Sequence, residues 1–145
     1  MTTSTVRRKP RRADIDVESI RGAVAHYVPH PQGGGLVEVT ALVHDDATVH
    51  ESAYVEAGTL IGAGTSIGAS SWIDAEVRIG EDVLIGLNVY VGTGSRVGTG
   101  ARICAGARIG AFVVVAPGAR VATDAVVPDG TVVLALNRRP SRSLA

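Results

Sequence analysis

The chain has 145 residues, enough for one domain whose core needs no disulfide or metal to hold it together. Aromatic residues make up only 3% of it and Cys104 is the single cysteine, which excludes a core of stacked rings and an intrachain disulfide framework. The formal net charge is zero, but all 14 acidic residues lie between Asp14 and Asp129, while both chain ends are basic.

The two ends of the chain carry eight of the 14 basic residues. Residues 1–13 contain five of them, and residues 134–145 contain Arg138, Arg139 and Arg142. We predict two disordered tails, because clusters of like charge repel; contact with nucleic acid or another anionic partner is the alternative. No apolar stretch follows the N-terminal basic residues and no run of 18 apolar residues occurs, so we expect a cytoplasmic protein with no membrane partner.

Residues 14–42 are predicted to form a cap segment and a linker. Apolar residues recur there at helical spacing: Val17, Ile20, Val24, Tyr27 and Val28. Asp14 or Asp16 could cap the N-terminus of this helix, and Pro29 would end it. Residues 31–35 (Pro-Gln-Gly-Gly-Gly) are predicted to be a linker, and residues 36–43 an entry strand. We expect the segment to cover the open end of the repeat that follows, because repeat structures need capped ends.

A β-branched aliphatic residue stands at every sixth position from Val43 to Val133. The sixteen residues are Val43, Val49, Val55, Ile61, Ile67, Ile73, Ile79, Ile85, Val91, Val97, Ile103, Ile109, Val115, Val121, Val127 and Val133. Four positions after each of the first fifteen is a small or β-branched residue, and glycine often directly follows the aliphatic residue. Because six is a multiple of the strand period of two, equivalent positions face the same way. The pattern predicts stacked short strands with the aliphatic residues inside.

This aliphatic-Gly-x-x-small-x unit resembles the hexapeptide-repeat family over residues 43–133. The resemblance implies an all-β fold, a left-handed parallel β-helix of about five coils with three hexads in each coil. It also implies a homotrimer. For the acyltransferase-like members it implies a coenzyme A thioester as co-substrate, a small-molecule acceptor, no bound cofactor, and a histidine base on a coil near a neighbouring subunit.

The histidines are the first candidates for such a base. None of the four lies after residue 50, and His44 and His50 directly follow inward aliphatic residues of the first coil. They are the candidate catalytic residues; decoration of the first corners is the alternative. The γ-class carbonic anhydrases, which share the fold, use three histidines for zinc, and no later histidine could complete such a set, so we predict no metal site.

The residues that precede the inward aliphatic residues should point outward, and residues 18 apart should stack on one face. One face carries an aromatic ladder of Tyr54, Trp72 and Tyr90, which predicts a subunit interface, with a stacking platform for a ligand as the alternative. Asn88 lies at a turn position, where asparagine tolerates left-handed backbone angles.

The other two faces carry pairs of arginines on adjacent coils. The pairs are Arg78 with Arg96 and Arg102 with Arg120. Like charges in such positions repel unless acids or anions intervene, so the pairs are either solvated beside acidic neighbours or candidate ligand-binding residues for a phosphate-bearing molecule.

Two functions remain open at this point. One is an acyltransferase of the hexapeptide-repeat type. The other is a non-catalytic β-helical structural or assembly protein that packs through its flat faces. No long loop interrupts the hexads. Residues 128–133 (Pro-Asp-Gly-Thr-Val-Val) resemble an ending common in the transferases, but the residues after Val133 depart from the Gly-x-Pro-Ala turn that usually follows it.

Overall fold

The computed structural model describes residues 26–136; residues 1–25 and 137–145 lie outside this part of the chain. Every regular element in it is a β-strand, and sixteen of the eighteen strands are two residues long. The strands are β1 (Tyr27–Pro29), β2 (Leu36–Glu38), β3 (Leu42–Val43), β4 (Thr48–Val49), β5 (Tyr54–Val55), β6 (Leu60–Ile61), β7 (Ser66–Ile67), β8 (Trp72–Ile73), β9 (Arg78–Ile79), β10 (Leu84–Ile85), β11 (Tyr90–Val91), β12 (Arg96–Val97), β13 (Arg102–Ile103), β14 (Arg108–Ile109), β15 (Val114–Val115), β16 (Arg120–Val121), β17 (Val126–Val127) and β18 (Val132–Val133). Within residues 26–136, no helix is long and apolar enough to cross a membrane.

The strands form three sheets that wind around one axis. Sheet 1 has the order β1-β2-β5-β8-β11-β14-β17, sheet 2 the order β3-β6-β9-β12-β15-β18, and sheet 3 the order β4-β7-β10-β13-β16. From β2 onward all neighbours are parallel with a register of 18 residues, as in the pairing of Tyr54 with Trp72. The prediction of an all-β parallel β-helix of about five coils is therefore confirmed. We call the turns after sheets 1, 2 and 3 corner 1/2, corner 2/3 and corner 3/1.

The core is the column of β-branched residues along the axis. All fourteen members of the repeat from Val49 to Val127 are at most 9% exposed, whereas Val43 and Val133, at the two ends, are half-buried. Burial of each such side chain stabilises the fold by about 1.5–3 kcal/mol relative to its exposure. The identical spacing of the column is what keeps successive coils in register.

Each corner contains two positions that favour glycine, for different reasons. The third residue after the inward aliphatic residue has a left-handed φ in all thirteen hexads from Gly58 to Gly130, and six of these residues are not glycine. Asn88 is one of the six, with a φ of 55°, which confirms its predicted role. The first residue after the aliphatic has no such φ. At Gly68, a Cβ would lie 2.5 Å from the carbonyl oxygen of Gly86 on the next coil, so close stacking excludes a side chain.

Four buried hydroxyl groups connect successive coils at the second column of the repeat. Ser95 Oγ donates to the Gly110 carbonyl at 2.8 Å and accepts the Val113 N–H at 3.0 Å. The same pair of bonds is made by Thr59, Thr65 and Ser71. In alanine hexads the turn closes on itself, as when the Ala119 N–H donates to the Ala116 carbonyl. The valine hexads have no such hydrogen bond within the turn. In each of them the valine N–H donates instead to the hydroxyl of the residue 18 positions earlier.

The N-terminal part differs from the predicted helix and linker. Tyr27–Pro29 forms β1, which pairs antiparallel with β2, so the helix prediction is wrong for residues 27 and 28; its residues 17–25 lie outside the described part. Residues 31–35 are the turn of this hairpin and not a linker. Strand β2 pairs in parallel with β5, so the stacking begins one hexad before Val43. Pairing with the solenoid edge outweighs the helical spacing of a few apolar residues.

Candidate functional site

His44 lies at corner 2/3 of the first coil and is exposed. Its Nδ1 accepts the backbone N–H of Asp46 at 2.9 Å, so the proton of the neutral ring is on Nε2. The ring lines a shallow depression of about 500 Å³ together with Leu42, Leu60 and Gly62. A general base needs a free lone pair towards the substrate, and the lone pair of Nδ1 is used by the turn.

His50 has the same local arrangement at corner 3/1. Its Nδ1 accepts the Ser52 N–H at 3.2 Å and lies 3.0 Å from the Ser52 hydroxyl. Because His44 and His50 follow strands of different sheets, the fold does not bring the two imidazoles onto one corner. Their catalytic role stays a prediction.

A third histidine, His30, has a role that sequence reasoning missed. It is buried, and its Nε2 donates to the Ala47 carbonyl at 2.8 Å. That carbonyl belongs to the first coil, whose upper side has no preceding coil to supply a donor. The imidazole of His30 therefore supplies the hydrogen-bond donor for this carbonyl at the edge of sheet 3. Only the hairpin, which the sequence did not reveal, brings the ring to this position.

The aromatic ladder is present on sheet 1, as its register predicts. Tyr54 is buried beneath Tyr27 of β1, with ring centroids 6.0 Å apart at an interplanar angle of 89°. Trp72 and Tyr90 are half-buried and lie edge to face with centroids 5.2 Å apart. The predicted interface role of the ladder remains a prediction.

Buried carboxylates run beside this ladder at corner 1/2. Glu56 accepts hydrogen bonds from the Tyr27 hydroxyl at 2.6 Å and from Trp72 Nε1 at 2.7 Å. Asp74, one coil further, accepts the Tyr90 hydroxyl at 2.7 Å. Sequence reasoning missed these acids, although Glu38, Glu56 and Asp74 lie 18 residues apart in the column otherwise rich in glycine. The network ties β1 to the solenoid and uses the polar edges of the aromatic rings.

The four candidate arginines lie on both sides of corner 2/3. Arg78 stacks on Arg96 in sheet 2, and Arg102 stacks on Arg120 in sheet 3. All four are exposed, and within residues 26–136 no hydrogen bond or ion pair holds any of their guanidinium groups. The arginine on sheet 1 differs, because Arg108 donates to the Asn88 carbonyl at 2.9 Å.

Corner 2/3 carries the exposed acids Glu81 and Asp82 on the coil of Arg78, but small residues on the next two coils. Residues 98–100 are Gly-Thr-Gly and residues 116–118 are Ala-Pro-Gly. A Cβ built on Gly118 meets no atom within 4 Å, so the surface there is open. The two arginines of a pair stand on adjacent strands, so their backbones are roughly 4.8 Å apart. This arrangement suits an anion that spans two coils.

Other reactive groups are sparse. Cys104 is a half-buried free thiol at corner 3/1. Among residues 26–136, no three His, Cys, Asp or Glu side chains lie close enough to hold a metal ion.

A family model of known proteins matches part of the repeat. Residues 76–111 match the family model described as bacterial transferase hexapeptide, with six repeats. The matched segment is a quarter of the chain, and the same hexads continue on both sides of it from Val43 to Val133. No protein with a curated function matches its sequence significantly.

Several solved structures resemble this chain. A mutant of GDP-perosamine N-acetyl transferase from Caulobacter crescentus, in complex with CoA and GDP-perosamine, is 29% identical with a TM-score of 0.36, over 68% of this chain and 51% of that one. The acetyltransferase domain of PglB from Neisseria gonorrhoeae is 23% identical with a TM-score of 0.44, over 82% of this chain and 60% of that one. A hexapeptide transferase family protein from Anaplasma phagocytophilum is 18% identical with a TM-score of 0.38, over 68% and 69%. This chain thus spans only half to three fifths of the length of the first two structures.

Proposed function

We propose that the protein transfers an acyl group from a coenzyme A thioester to a small-molecule acceptor. The observation that carries the proposal is the set of four unpaired arginines around corner 2/3. Three of them, Arg78, Arg96 and Arg102, lie within the segment that matches the bacterial transferase repeat.

The charge of the donor fits this surface. Coenzyme A carries a pyrophosphate and a ribose phosphate, and guanidinium groups bind phosphate oxygens through paired, charge-assisted hydrogen bonds. Two stacked arginines repel each other when no anion is present, so phosphate binding relieves an unfavourable interaction. The small residues at 98–100 and 116–118 leave room for the phosphates between Arg96 and Arg102 and beside Arg120.

The transfer needs a group that removes a proton from the acceptor. The nucleophile of the acceptor attacks the thioester carbonyl, the bond to sulfur breaks, and coenzyme A leaves as the thiol. His44 is the candidate base closest in the fold to the arginine surface, since both lie at corner 2/3. For Nε2 to accept a proton, the neutral ring must first move its own proton to Nδ1, which requires loss of the bond from the Asp46 N–H.

A non-catalytic assembly protein is the second candidate function. It is favoured by the involvement of Nδ1 of both His44 and His50 in their own turns, and by the hexads that run without a loop from Val43 to Val133. In that case the faces of the solenoid serve as packing surfaces and the arginines contact acidic groups of neighbours.

Calorimetric titration of the full chain with acetyl-CoA distinguishes the two functions. We expect saturable binding in the micromolar range, and acetyl transfer to an amine acceptor that is lost in His44→Ala and retained in His26→Ala. Absence of binding at millimolar acetyl-CoA would refute the transferase proposal and leave the assembly function. Binding with equal turnover in both variants would refute the role of His44 alone.

A further inference from the structure

An apolar strip lies on the upper part of sheet 2, beside the candidate base. Leu42 pairs with Leu60 of the next coil; Leu42 is 69% exposed and Leu60 is half-buried. On the other side of corner 2/3, the same two coils carry the polar residues Thr48 and Ser66. The apolar surface is therefore confined to the sheet 2 side of His44.

The shallow depression of about 500 Å³ follows this strip. It extends from the first coil to Ile79, two coils lower, a length of roughly 10 Å at the spacing of adjacent strands. On its floor, the His44 N–H donates to the Ile61 carbonyl at 3.0 Å and the Gly62 N–H donates to the Ile79 carbonyl at 2.9 Å, so these polar groups are used between coils. Among the lining residues, which all lie within residues 26–136, only His44 has a polar side chain. Such a surface favours a ligand group that is itself apolar.

The charges along corner 2/3 give the donor a direction. The exposed acids Glu81 and Asp82 repel phosphate groups, whereas Arg96, one coil below, attracts them. The phosphates of the donor therefore lie on the lower coils, and a neutral part of the donor passes the acids to reach His44. From the coil of Arg96 to that of His44 is three strand spacings, or roughly 14 Å. The uncharged pantetheine arm of coenzyme A spans this distance when it is extended, which brings the thioester to the depression.

We infer that the depression holds the acyl chain of the donor, and that the protein selects thioesters with chains longer than acetyl. The inference rests on the proposed acyl transfer and names its acyl group. Along sheet 2, Arg96 and Arg78 are followed by Leu60 and Leu42, which is the order of phosphates and hydrocarbon in such a donor.

The size of the depression argues against acetyl as the preferred group. An acetyl group leaves most of the apolar surface in water, whereas each further methylene that becomes fully buried strengthens binding by about fourfold. Leu42 and Leu60 are therefore the residues that determine specificity for the length of the chain.

Titration of the full chain with acetyl-CoA and octanoyl-CoA tests this selection. Octanoyl-CoA should bind at least about tenfold more tightly, because each of its six additional methylenes contributes about 1.5-fold on a partly open surface. Leu60→Ser should reduce this ratio to about threefold or less and leave the affinity for acetyl-CoA within about twofold. Leu42→Ser, at a more exposed position, should act in the same direction, which guards against a folding defect of Leu60→Ser.

The matched control is Leu84→Ser, which removes an exposed leucine from sheet 3 and should leave the ratio unchanged. Equal affinity of the wild-type chain for the two thioesters would overturn the inference, as would an unchanged ratio in both Leu42→Ser and Leu60→Ser. A higher acceptor KM in Leu60→Ser with unchanged binding of octanoyl-CoA would assign the depression to the acceptor, which also overturns it.

A thioester without phosphates separates this inference from the proposed donor site. Octanoyl-N-acetylcysteamine has the same chain and thioester, so Leu60→Ser should weaken its binding by about threefold or more, while Arg96→Ala/Arg102→Ala should not. Loss of acetyl-CoA binding with retained, Leu60-dependent binding of this thioester would refute the donor site and support the acyl site. Binding of the thioester that is equal in Leu60→Ser and the wild type would overturn the acyl site alone.

Discussion

The corner residues of the solenoid are subject to two separate constraints at the scale of single side chains. Gly118 has a φ of 74° and open space where a Cβ would be, so only its backbone conformation favours glycine. Gly68 has no left-handed φ, but the next coil occupies the volume of a side chain. A glycine-rich corner in the sequence therefore combines a conformational constraint with a packing constraint.

These two causes predict opposite responses to asparagine. Gly118→Ala should lower the free energy of unfolding by about 1–2 kcal/mol, and Gly118→Asn by less, because asparagine tolerates the left-handed region. Gly68→Ala should also be destabilising, and Gly68→Asn more so, since a larger side chain meets the same backbone. Denaturant unfolding of the four variants shows whether alanine or asparagine is more destabilising at each of the two positions. If asparagine were the better substitution at both positions, the packing constraint at Gly68 would be wrong.

Phe112 shows how strongly the coil geometry dominates over local preference. It has a φ of 55° and is 66% exposed, although bulky residues rarely adopt left-handed angles. Its ring lies over Gly94 one coil above, which has no side chain in the way. Glycine in one coil thus makes room for a large side chain in the next.

At the scale of the element, the hexads are joined by a hydroxyl that belongs to one coil and serves the next. Every valine in the second column, from Val77 to Val113, has a serine or threonine 18 residues before it. The buried N–H of such a valine has no acceptor in its own turn, so the hydroxyl of the previous coil is its partner. The pairing is a correlation across 18 residues that a single hexad does not reveal.

Removal of one such hydroxyl should be costly. Ser95→Ala should lower the free energy of unfolding by about 1–3 kcal/mol, because the Val113 N–H and the Gly110 carbonyl are left unpaired and buried. Val113→Ala in the same background allows the turn to close as it does at Ala119 and should recover part of the loss. A double-mutant cycle by denaturant unfolding measures the coupling. Strict additivity of the two substitutions would contradict the shared hydrogen bonds.

The repeated strands could be predicted from the sequence, whereas the hairpin on their N-terminal side could not. The period of six assigned the inward column, the three faces and the aromatic ladder, because each depends on chain position alone. The hairpin of β1 and β2 was not predicted, since Tyr27 and Val28 also fit a helical spacing. Likewise, the roles of His30 and Glu56 depend on contacts that exist only after the hairpin docks.

At the scale of the whole molecule, charge is distributed unevenly along the axis. Nine of the eleven acidic residues between 26 and 136 precede residue 91, whereas four of the five arginines in that range follow it. Glu38, Glu56 and Asp74 are buried, so the exposed acids at the upper end are fewer than the sequence suggests. The lower coils are therefore the basic half of the molecule, which is where the proposal places the phosphates of the donor.

The assembly prediction also belongs to this scale. We expect the full chain to sediment as a trimer, with three times its mass of 14.9 kDa. Trp72→Glu should shift it to the monomer if the ladder forms the interface, while Leu84→Glu on sheet 3 should not. Because Trp72 also binds Glu56, circular dichroism must confirm that the variant is folded. A folded trimeric Trp72→Glu variant would remove the ladder from the interface.

The most direct test of the proposed donor site, on which the acyl-transfer proposal depends, is the titration of acetyl-CoA into the double variant Arg96→Ala/Arg102→Ala beside the wild-type chain. Charge-assisted hydrogen bonds are worth about 1.5–3 kcal/mol each, so the double variant should bind at least 100-fold more weakly. Arg108→Ala, whose guanidinium is bonded to Asn88, is the matched control and should bind as the wild type does. Equal affinity of the double variant and the wild type would contradict the assignment of corner 2/3 as the donor site.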